Sequence, residues 1–373
     1  MKIAFDFVAT FKPSGSKTYV INFLNNFISQ DIKCSYYLFI TKNYIKDLRS
    51  HNPKIKIIKI PNIFSNGLAK FFWMQFLLPL ILIILRFDKI FSPLNYTPLI
   101  LKFSKIEKIL LIHSNLPFKK SNYLPGNFFK NKMINLFMKY SILTCDQLIS
   151  ISDFAKSELT SIFPSRSIKH HRIYLGCNHF RNKNKKYLNG FNYNDKYILS
   201  IISCTRYHDI IFLINGYKKF LDHTDQNIKL VFIMQVLDSK YFKQIKKLIT
   251  FLNLEKQIKI ITSIPNSFLP EIYRNSHLYL FSSYSEVFGL TSLEAMYFGI
   301  PVLISKSSAL PEVNGDAPIY FELNNQFDFV TKLNIAVFDE NLRKKMIAKG
   351  VENLNRFDWE KTVSETINII EKN

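Results

Sequence analysis

The chain has 373 residues, of which 47% are hydrophobic, and a formal net charge of +22. Because this length exceeds what one hydrophobic core usually organises, the sequence predicts two globular domains. The four cysteines lie far apart in the sequence, which excludes a disulfide-rich protein and a cysteine-ligated metal site, and indicates reduced thiols in a cytoplasmic protein. They are Cys34, Cys145, Cys177 and Cys204.

The positive charge is concentrated in the first half of the chain. Residues 1–186 contain 29 Lys and Arg against 8 Asp and Glu, a net charge of +21, whereas residues 187–373 contain 21 against 20, a net charge of +1. Nucleic acid attracts such a surface, but no recognised nucleic-acid-binding motif accompanies it, so we expect no nucleic-acid partner. An anionic membrane surface is the expected partner. The alternative is a solvated surface filled with Lys and Asn by an AT-biased coding sequence.

The first half reads as alternating strands and helices, which indicates an α/β sheet. Residues 1–10 carry Asp6 within an apolar run and lack a small-residue cleavage site, so they predict a first strand and not an export signal. A helix is predicted over 17–28. The predicted strands cover residues 3–7, 36–41, 54–60, 89–92 and 108–113.

Residues 71–85, FFWMQFLLPLILIIL, form the most apolar stretch of the chain. The stretch contains Pro79, is bounded by Lys70 and Arg86, and is shorter than the roughly 20 residues that a spanning helix needs. We therefore expect it not to span a membrane. Two interpretations remain: a buried helix of the first domain, or a partly exposed apolar surface that enters the membrane interface, which Phe72 and Trp73 would suit.

Residues 178–194 are polar and lysine-rich without apolar periodicity, and predict an interdomain linker. A second α/β pattern follows it, and a final helix is predicted over 360–371. Its predicted strands cover residues 197–203, 228–234 and 258–262, and its predicted helices cover 210–221 and 239–252.

The stretch SSYSEVFGLTSLEAMYFGIP, residues 282–301, is the most informative part of the sequence. Apolar runs at 277–283 and 301–305 predict two buried parallel strands, and the helical periodicity between them predicts a helix over about 289–298. Gly299 is placed to end that helix in a left-handed conformation, and Pro301 prevents its continuation. The loop and helix start should lie at the carboxyl ends of the strands, where doubly wound sheets bind ligands.

The residue types around this helix start suit a nucleotide sugar. Backbone amides at Gly289, Leu290 and Thr291 point to a phosphate site at the positive helix end. Glu294, one turn further, has carboxylate oxygens that can accept from both ribose hydroxyls. Glu286 can accept from hydroxyls of the group that is attached to the phosphate. The alternative is that Glu286 only favours a helix N-terminus and Glu294 lies on a solvated helix face.

The Glu-x7-Glu pair, together with Phe-Gly-Leu, Leu-Glu-Ala-Met and Gly-Ile-Pro-Val, resembles the signature of retaining glycosyltransferase family four. Four further stretches resemble landmarks of that family in the expected order: residues 112–114, 150–156, 308–317 and 357–360. The resemblance implies a GT-B fold, with two Rossmann-like domains, a cleft between them and a C-terminal helix that returns to the first domain. The expected boundaries are 1–180 plus 357–373 for the N-terminal acceptor domain, 181–194 for the linker, and 195–356 for the nucleotide-sugar domain.

The resemblance also implies roles for individual residues. Phe288 to Thr291 and Glu294 would bind the nucleotide sugar, and Glu286 and His113 would contact the donor sugar or its phosphate. Relatives usually have a glycine pair after the first strand, whose backbone meets the diphosphate, and here only Gly15 remains. An ordinary strand-to-helix turn is the alternative there.

Two positions depart from the family pattern. Ser114 stands where relatives commonly have Asp, and His208-Asp209 stands where they have a lysine followed by Asn or Gly. That lysine neutralises the leaving diphosphate. We expect Arg206 to take this part, because a guanidinium is always charged and grips phosphate with two donors, whereas His208 would first need a proton.

These features predict a retaining, metal-independent glycosyltransferase. The donor would be a nucleoside diphosphate sugar and the acceptor a glycan, plausibly lipid-linked, in the assembly of a bacterial surface polysaccharide such as O-antigen or capsule. No cofactor is expected, since no Asp-x-Asp cluster is present, and the location would be cytoplasmic, at the inner face of the membrane. A GT-B nucleotide-sugar epimerase and a catalytically inactive GT-B binding subunit are the alternatives.

Overall fold

A computed structural model describes residues 1–8, 15–41, 52–119, 126, 128–164, 168–180, 186–224, 226–262 and 264–372. The chain divides into two compact units. Unit 1 comprises Met1–Phe118, Phe128–Gly176 and Asp358–Asn373, and unit 2 comprises Lys119–Asn127 and Cys177–Phe357.

Unit 1 is built on a parallel sheet of seven strands in the order β3-β2-β1-β4-β5-β6-β7. Its strands are β1 Lys2–Phe7, β2 Ser35–Thr41, β3 Ile55–Ile60, β4 Lys89–Ser92, β5 Glu107–Ile112, β6 Gln147–Ser150 and β7 Lys169–Arg172. Its helices are α1 Gly15–Phe27, α2 Gly67–Ile84, α3 Phe128–Thr144, α4 Asp153–Ile162 and, from the end of the chain, α12 Trp359–Glu371. The five strands predicted in this half are therefore found, with ends shifted by at most two residues.

Unit 2 has a parallel sheet of six strands in the order β10-β9-β8-β11-β12-β13. Its strands are β8 Tyr197–Cys204, β9 Lys229–Val236, β10 Ile258–Thr262, β11 Leu278–Phe281, β12 Val302–Ser305 and β13 Ile319–Phe321. Its helices are α5 Ile210–Asp222, α6 Ser239–Phe251, α7 Leu269–Arg274, α8 Leu290–Tyr297, α9 Leu310–Asn314, α10 Gln326–Phe338 and α11 Glu340–Leu354. The β11-α8-β12 unit is the one that residues 282–301 predict.

The strand order of the second sheet reverses between β8 and β11. In an open parallel sheet, the loops that leave the two strands at such a reversal part to opposite faces, and the crevice between them is the usual ligand site. Here those loops are residues 205–209 after β8 and residues 282–289 after β11. The fold therefore places the predicted signature at the ligand-binding position of unit 2.

The apolar segment forms a longer helix than the one that residues 71–85 predict. By length and composition alone, α2 is a candidate membrane span, and a third of it is buried within the protein. Its inner side packs in the core through Leu78 and Leu82, and Trp73 is also buried, where its Nε1–H donates to Asp6 at 3.2 Å. Trp73 therefore does not lie on an exposed surface as one interpretation expected, whereas Phe72 does. The helix is therefore buried on one side and exposed on the other, and entry of the exposed side into a membrane interface stays a prediction.

The stretch predicted as an interdomain linker is partly packed into unit 2. His179 and Phe180 follow Cys177, and the Phe180 ring lies 5.1 Å from that of Phe298. Further along, Phe191 is buried with its ring 5.3 Å from Tyr197 at the start of β8. Isolated aromatic residues among lysines and asparagines produce no periodicity, so this packing could not be predicted from the sequence.

The final helix α12 belongs to unit 1. Its Thr362 Oγ1–H donates to the Tyr174 carbonyl at 2.8 Å, and near its end Glu371 accepts a hydrogen bond from the Tyr36 hydroxyl at 2.8 Å. These contacts fix both ends of the helix within the unit.

Candidate nucleotide-sugar site

The loops that leave β8 and β11 are joined by hydrogen bonds across the strand-order reversal of unit 2. His208 Nδ1 lies 2.9 Å from the Ser282 carbonyl oxygen, and the Ser282 hydroxyl donates to the His208 carbonyl. The Tyr284 amide donates to the Tyr207 carbonyl at 2.7 Å. Since a carbonyl can only accept, His208 Nδ1 carries the proton. These bonds fix the position of the loop that precedes α8.

The start of α8 requires glycine at position 289. Gly289 caps the helix with φ of +82°, a left-handed conformation that side chains disfavour. A Cβ atom there would also lie 2.6 Å from Leu310 Cδ2, so the Leu310 side chain would have to shift. The left-handed backbone and the packing against Leu310 thus explain the glycine, and a close approach of a ligand to this backbone stays a prediction.

Glu286 folds back onto the amides of its own loop. Its Oε1 accepts from the Val287 amide at 3.2 Å, and the amides of Phe288 and Gly289 also bind the carboxylate. Burial raises the pKa of Glu286, and these amides partly oppose that rise. The Gly289 amide, expected to face a phosphate, is thus directed at Glu286, which leaves Leu290 and Thr291 as the better candidates for that contact.

Glu294 is buried, with 6% of its surface exposed, so the alternative of a solvated helix face is wrong. Each of its carboxylate oxygens has a donor. His179 Nε2 lies 2.9 Å from Oε1, and the Tyr273 hydroxyl donates to Oε2 at 2.7 Å. A buried carboxylate with lone pairs to spare and a fixed orientation is suited to accept hydrogen bonds from a vicinal diol.

Neither partner of Glu294 could be recognised from the sequence. His179 lies in the stretch interpreted as a linker, and Tyr273 lies in the short helix α7, 21 residues before the carboxylate that it contacts. Tyr207 was also missed: burial, together with the nearby Glu286 charge, raises its pKa. No spacing rule connects these residues to the signature, because the fold and not the local sequence brings them there.

Arg206 points away from the signature in this structure. Its guanidinium lies 3.5 Å from the carboxylate of Asp238 and 3.5 Å from Gln244 Oε1, over the Tyr241 ring. These residues follow β9, which lies on the other side of β8 from β11. The side chain is 42% exposed, and such a surface ion pair contributes only about 0–1 kcal/mol, so little energy holds it there.

His208 takes the opposite direction, towards β11, but it is uncharged at neutral pH. Burial lowers its pKa to about 4. The residue that replaces the expected lysine therefore contributes a structural hydrogen bond, and a positive charge would have to come from elsewhere.

His113 lies in unit 1, directly after β5, as the sequence predicted. Its ring packs against Tyr19 with centroids 4.8 Å apart, and its hydrogen bond to the Pro93 carbonyl leaves Nε2 buried without a partner among the described residues. Burial lowers its pKa to about 4, so His113 is neutral and Nε2 is an acceptor for a hydroxyl group.

Gly15 begins α1, and a Cβ atom on it would meet nothing within 4 Å. The turn therefore does not require glycine for steric reasons. The hydroxyl of Ser14 or Ser16 could replace the missing second glycine in binding a diphosphate. Ser16 lies in α1 and Ser14 lies outside the described residues, so contact of this turn with a diphosphate stays a prediction.

No group of three or more His, Cys, Asp or Glu side chains that could hold a metal ion is present in the part of the chain that the structure describes. The expectation of a metal-independent reaction stays a prediction.

Comparison with known proteins identifies the domain around this site. Residues 182–352 match the family described as Glycosyl transferases group 1. The chain is 32% identical over 114 residues to O-antigen chain mannosyltransferase B of Escherichia coli, a match that covers 31% of this chain and 30% of that protein. It is 27% identical over 260 residues to an uncharacterized glycosyltransferase of Methanocaldococcus jannaschii, covering 69% of this chain and 66% of that protein.

Solved structures agree with this fold along the whole chain. Sucrose-phosphate synthase from Thermosynechococcus elongatus superposes with a TM-score of 0.73 at 16% identity, covering 99% of this chain and 98% of that one. Anabaena HepE in complex with UDP and glucose superposes with a TM-score of 0.71 at 15% identity, covering 99% of both chains. The protein thus has the GT-B fold, and its residues 182–352 match the group 1 glycosyl transferases.

Proposed function

We propose that the protein is a retaining glycosyltransferase of family four, which moves a sugar from a nucleoside diphosphate sugar to a glycan acceptor. The observation that carries this proposal is the position of Glu286 and Glu294. One carboxylate lies in the loop at the strand-order reversal of unit 2, and the other lies one helical turn inside α8, buried and held by two donors.

The nucleotide would bind at the start of α8. The Leu290 and Thr291 amides and the positive end of the helix would face the diphosphate, and Glu294 would accept the two ribose hydroxyls. Two solved proteins of the same fold support this assignment in a general way, since one is a complex with UDP and glucose and the other is bound with UDP-2-fluoro glucose.

Glu286 would hold the sugar. For His113 in unit 1, a contact with the donor rests on the family resemblance alone. A carboxylate bound by loop amides has a defined orientation, and a neutral imidazole with an unused nitrogen can accept from a hydroxyl. In these roles both residues would bind and orient the donor, and neither needs to become charged during the reaction.

The reaction would break the bond between the sugar C1 and the diphosphate oxygen and form a bond between C1 and the acceptor oxygen on the same face of the ring. The departing phosphate oxygen would take the acceptor's proton. Negative charge that develops on the leaving group would be stabilised by the α8 amides and by Arg206, whose weak contacts with Asp238 and Gln244 allow it to turn. We propose no metal in this step.

The acceptor would be a lipid-linked glycan of a bacterial surface polysaccharide, reached from the cytoplasm at the inner face of the membrane. The net charge of +21 on residues 1–186 supports an anionic membrane surface as a partner. The similarity over 114 residues to a protein named O-antigen chain mannosyltransferase B supports the class of product.

A catalytically inactive binding subunit is the second candidate. The observation in its favour is that His208, at the position of the usual lysine, is buried and neutral. If Arg206 cannot reach the phosphate, donor binding would persist without turnover.

One assay separates these functions. The protein is incubated with nucleoside diphosphate sugars and candidate glycan acceptors, and free nucleotide, glycosylated acceptor and the anomeric configuration of the product are measured. A retaining transferase releases nucleotide and forms a product with the donor's configuration. An epimerase converts the donor without transfer, and an inactive subunit binds the donor and releases nothing, so either of these results overturns the proposal.

A further inference from the structure

Three neighbouring elements of unit 1 expose hydrophobic side chains along their outer sides. On α2 these residues recur every three or four positions, on α3 they follow a similar spacing, and two more lie in the short 3-10 helix Leu99–Phe103. They are Leu68, Phe72, Phe76, Leu80, Ile83 and Ile84 on α2, Phe128, Phe129, Leu136, Tyr140 and Leu143 on α3, and Ile100 and Phe103. Together these residues are called the apolar face below.

The three elements are held together from beneath by buried polar groups. The Gln75 side chain of α2 accepts from the Leu99 amide at 2.9 Å and donates to the Thr97 carbonyl at 3.4 Å. The Thr97 amide in turn donates to Ser141 Oγ of α3 at 3.2 Å. These three polar residues are buried, whereas the exposed residues of the apolar face are hydrophobic. An ordinary water-facing surface has the opposite arrangement, with polar side chains outside and apolar side chains beneath them.

The two helices that carry most of the apolar face are in direct contact. The Phe71 ring of α2 lies 4.8 Å from the Phe137 ring of α3 at a steep angle. Both rings are half-buried, and in the sequence they adjoin the exposed Phe72 and Leu136. Large exposed apolar surfaces mark sites of interaction with another protein or with a membrane.

Lysines are interspersed with the apolar residues. On α3, exposed Lys132 lies four residues after Phe128 and four before Leu136, and exposed Lys139 lies four before Leu143, so both share the outer side of the helix. Lys102 is exposed beside Phe103. Apolar side chains flanked by lysines suit the interface of an anionic bilayer. There the apolar side chains enter the hydrocarbon region and the lysine ammonium groups contact the anionic headgroups.

We infer that the apolar face is an interfacial membrane-binding surface, with α2 and α3 lying in the plane of an anionic bilayer. Helix α2 does not span the membrane in this arrangement, because its inner side is fixed in the core of unit 1 through Trp73 and Leu78. The inference goes beyond the proposed function, since it assigns a binding surface and a mode of insertion and does not depend on the donor site of unit 2.

The experiment measures co-sedimentation of the full chain with vesicles of phosphatidylglycerol and phosphatidylcholine, or of phosphatidylcholine alone, at low and high salt. The apolar variant is Phe76→Ser with Phe129→Ser, which changes side chains that are 55% and 72% exposed. Its matched control is Phe251→Ser with Phe327→Ser on unit 2, at side chains that are 80% and 82% exposed. Exposed positions of this kind seldom affect folding.

A charge variant completes the set: Lys132→Glu with Lys139→Glu, matched by Lys243→Glu with Lys247→Glu on the exposed side of α6. Binding should prefer anionic vesicles and weaken with salt. The apolar variant and the charge variant should each lower the partition coefficient about tenfold or more, and the two controls about twofold or less. A Phe76→Trp variant should show blue-shifted emission with vesicles and quenching by brominated lipid at shallow depth.

Equal binding of the apolar variant and the wild type, or no binding of the wild type to anionic vesicles, would overturn the inference. A wild-type dimer in light scattering that Phe76→Ser with Phe129→Ser converts to a monomer would also overturn it, and would assign the apolar face to a second copy of the chain. Calorimetric titration of the variants with donor nucleotide in solution keeps this test separate from the proposed function, because donor binding should be unchanged.

Discussion

His179 Nε2 lies 2.9 Å from the carboxylate of Glu294, and both side chains are buried in unit 2. His179 Nδ1 is buried as well and has no hydrogen-bond partner among the described residues. The hydrogen bond of His179 to Glu294 therefore fixes the orientation of the carboxylate that is proposed to bind ribose. Its role is to position Glu294 and not to touch the reacting atoms.

Replacing His179 by alanine should weaken donor binding without slowing the chemical step. The carboxylate would lose one of its two donors, so we expect the KM for the donor to rise about 5- to 20-fold with kcat changed less than about threefold. His179→Gln should restore most of the affinity, since its amide can donate to the same oxygen. Steady-state kinetics of both variants checks this. Equal loss of kcat and of affinity in the alanine variant, with no rescue by glutamine, would mean that His179 has only a structural role.

The two glutamates should fail in different ways when made neutral. Glu286→Gln should bind the nucleoside diphosphate within about threefold of the wild type but bind the complete nucleotide sugar more weakly, because this residue is assigned to the sugar. Glu294→Gln should weaken both ligands about tenfold or more, since a hydrogen bond to a charged group contributes about 1.5–3 kcal/mol. Calorimetric titrations with both ligands measure the difference. An equal loss of affinity for both ligands in Glu286→Gln would mean that Glu286 contacts the nucleotide and not the sugar.

Arg206 should be more important for turnover than His208. Arg206→Ala should lower kcat about 100-fold or more, because stabilisation of the leaving group is usually a large term, and Arg206→Lys should recover part of it. His208→Gln should cost less, since His208 is neutral at neutral pH. Single-turnover rates of the variants test whether Arg206 contributes more to the chemical step than His208. Normal turnover by Arg206→Ala would mean that the wild-type guanidinium stays with Asp238 and that another residue supplies the positive charge.

Burial of His208 should make the protein less stable in acid. Its pKa is about 4 in the folded chain and near 6.5 when unfolded. Above pH 6.5 neither state binds the proton, whereas between pH 6.5 and 4 only the unfolded state does, so stability falls as pH falls, by about 1.4 kcal/mol per pH unit. His208→Gln should flatten this dependence, while His113 and His170, whose pKa values are also lowered to about 4, retain their contributions. The check is the urea midpoint of the full chain across this range. Parallel curves for the variant and the wild type would contradict the account.

Much of the fold could be predicted from the sequence because parallel strands buried on both faces appear as apolar runs. The runs at 277–283 and 301–305 predicted β11 and β12, and glycine chemistry predicted the end of α8, where Gly299 has φ of +71°. The same rules of parallel sheets predicted that the signature loop lies at the carboxyl ends of the strands, whereas the strand order, with its reversal between β8 and β11, came from the structure.

The contacts of the site could not be predicted, because they depend on which elements become neighbours. His179 is separated from Glu294 by 115 residues in the sequence. The direction of Arg206 depends on β9 and β11 lying on opposite sides of β8, which no local pattern reveals. In α2, three successive residues, Trp73 to Gln75, are buried within a π-helical turn, so Trp73 lies in the core although its residue type suits a membrane interface.

The central claim is that the strand-order reversal of unit 2 binds the nucleotide of a sugar donor. The most direct measurement is calorimetric titration of the wild-type chain with a panel of nucleoside diphosphates and their sugars, preselected by thermal shift. The account predicts that at least one nucleotide binds with one site per chain, and that Glu294→Gln loses this binding while remaining folded. Failure of every nucleotide and nucleotide sugar to bind the folded wild-type chain, or unchanged binding to Glu294→Gln, would contradict it.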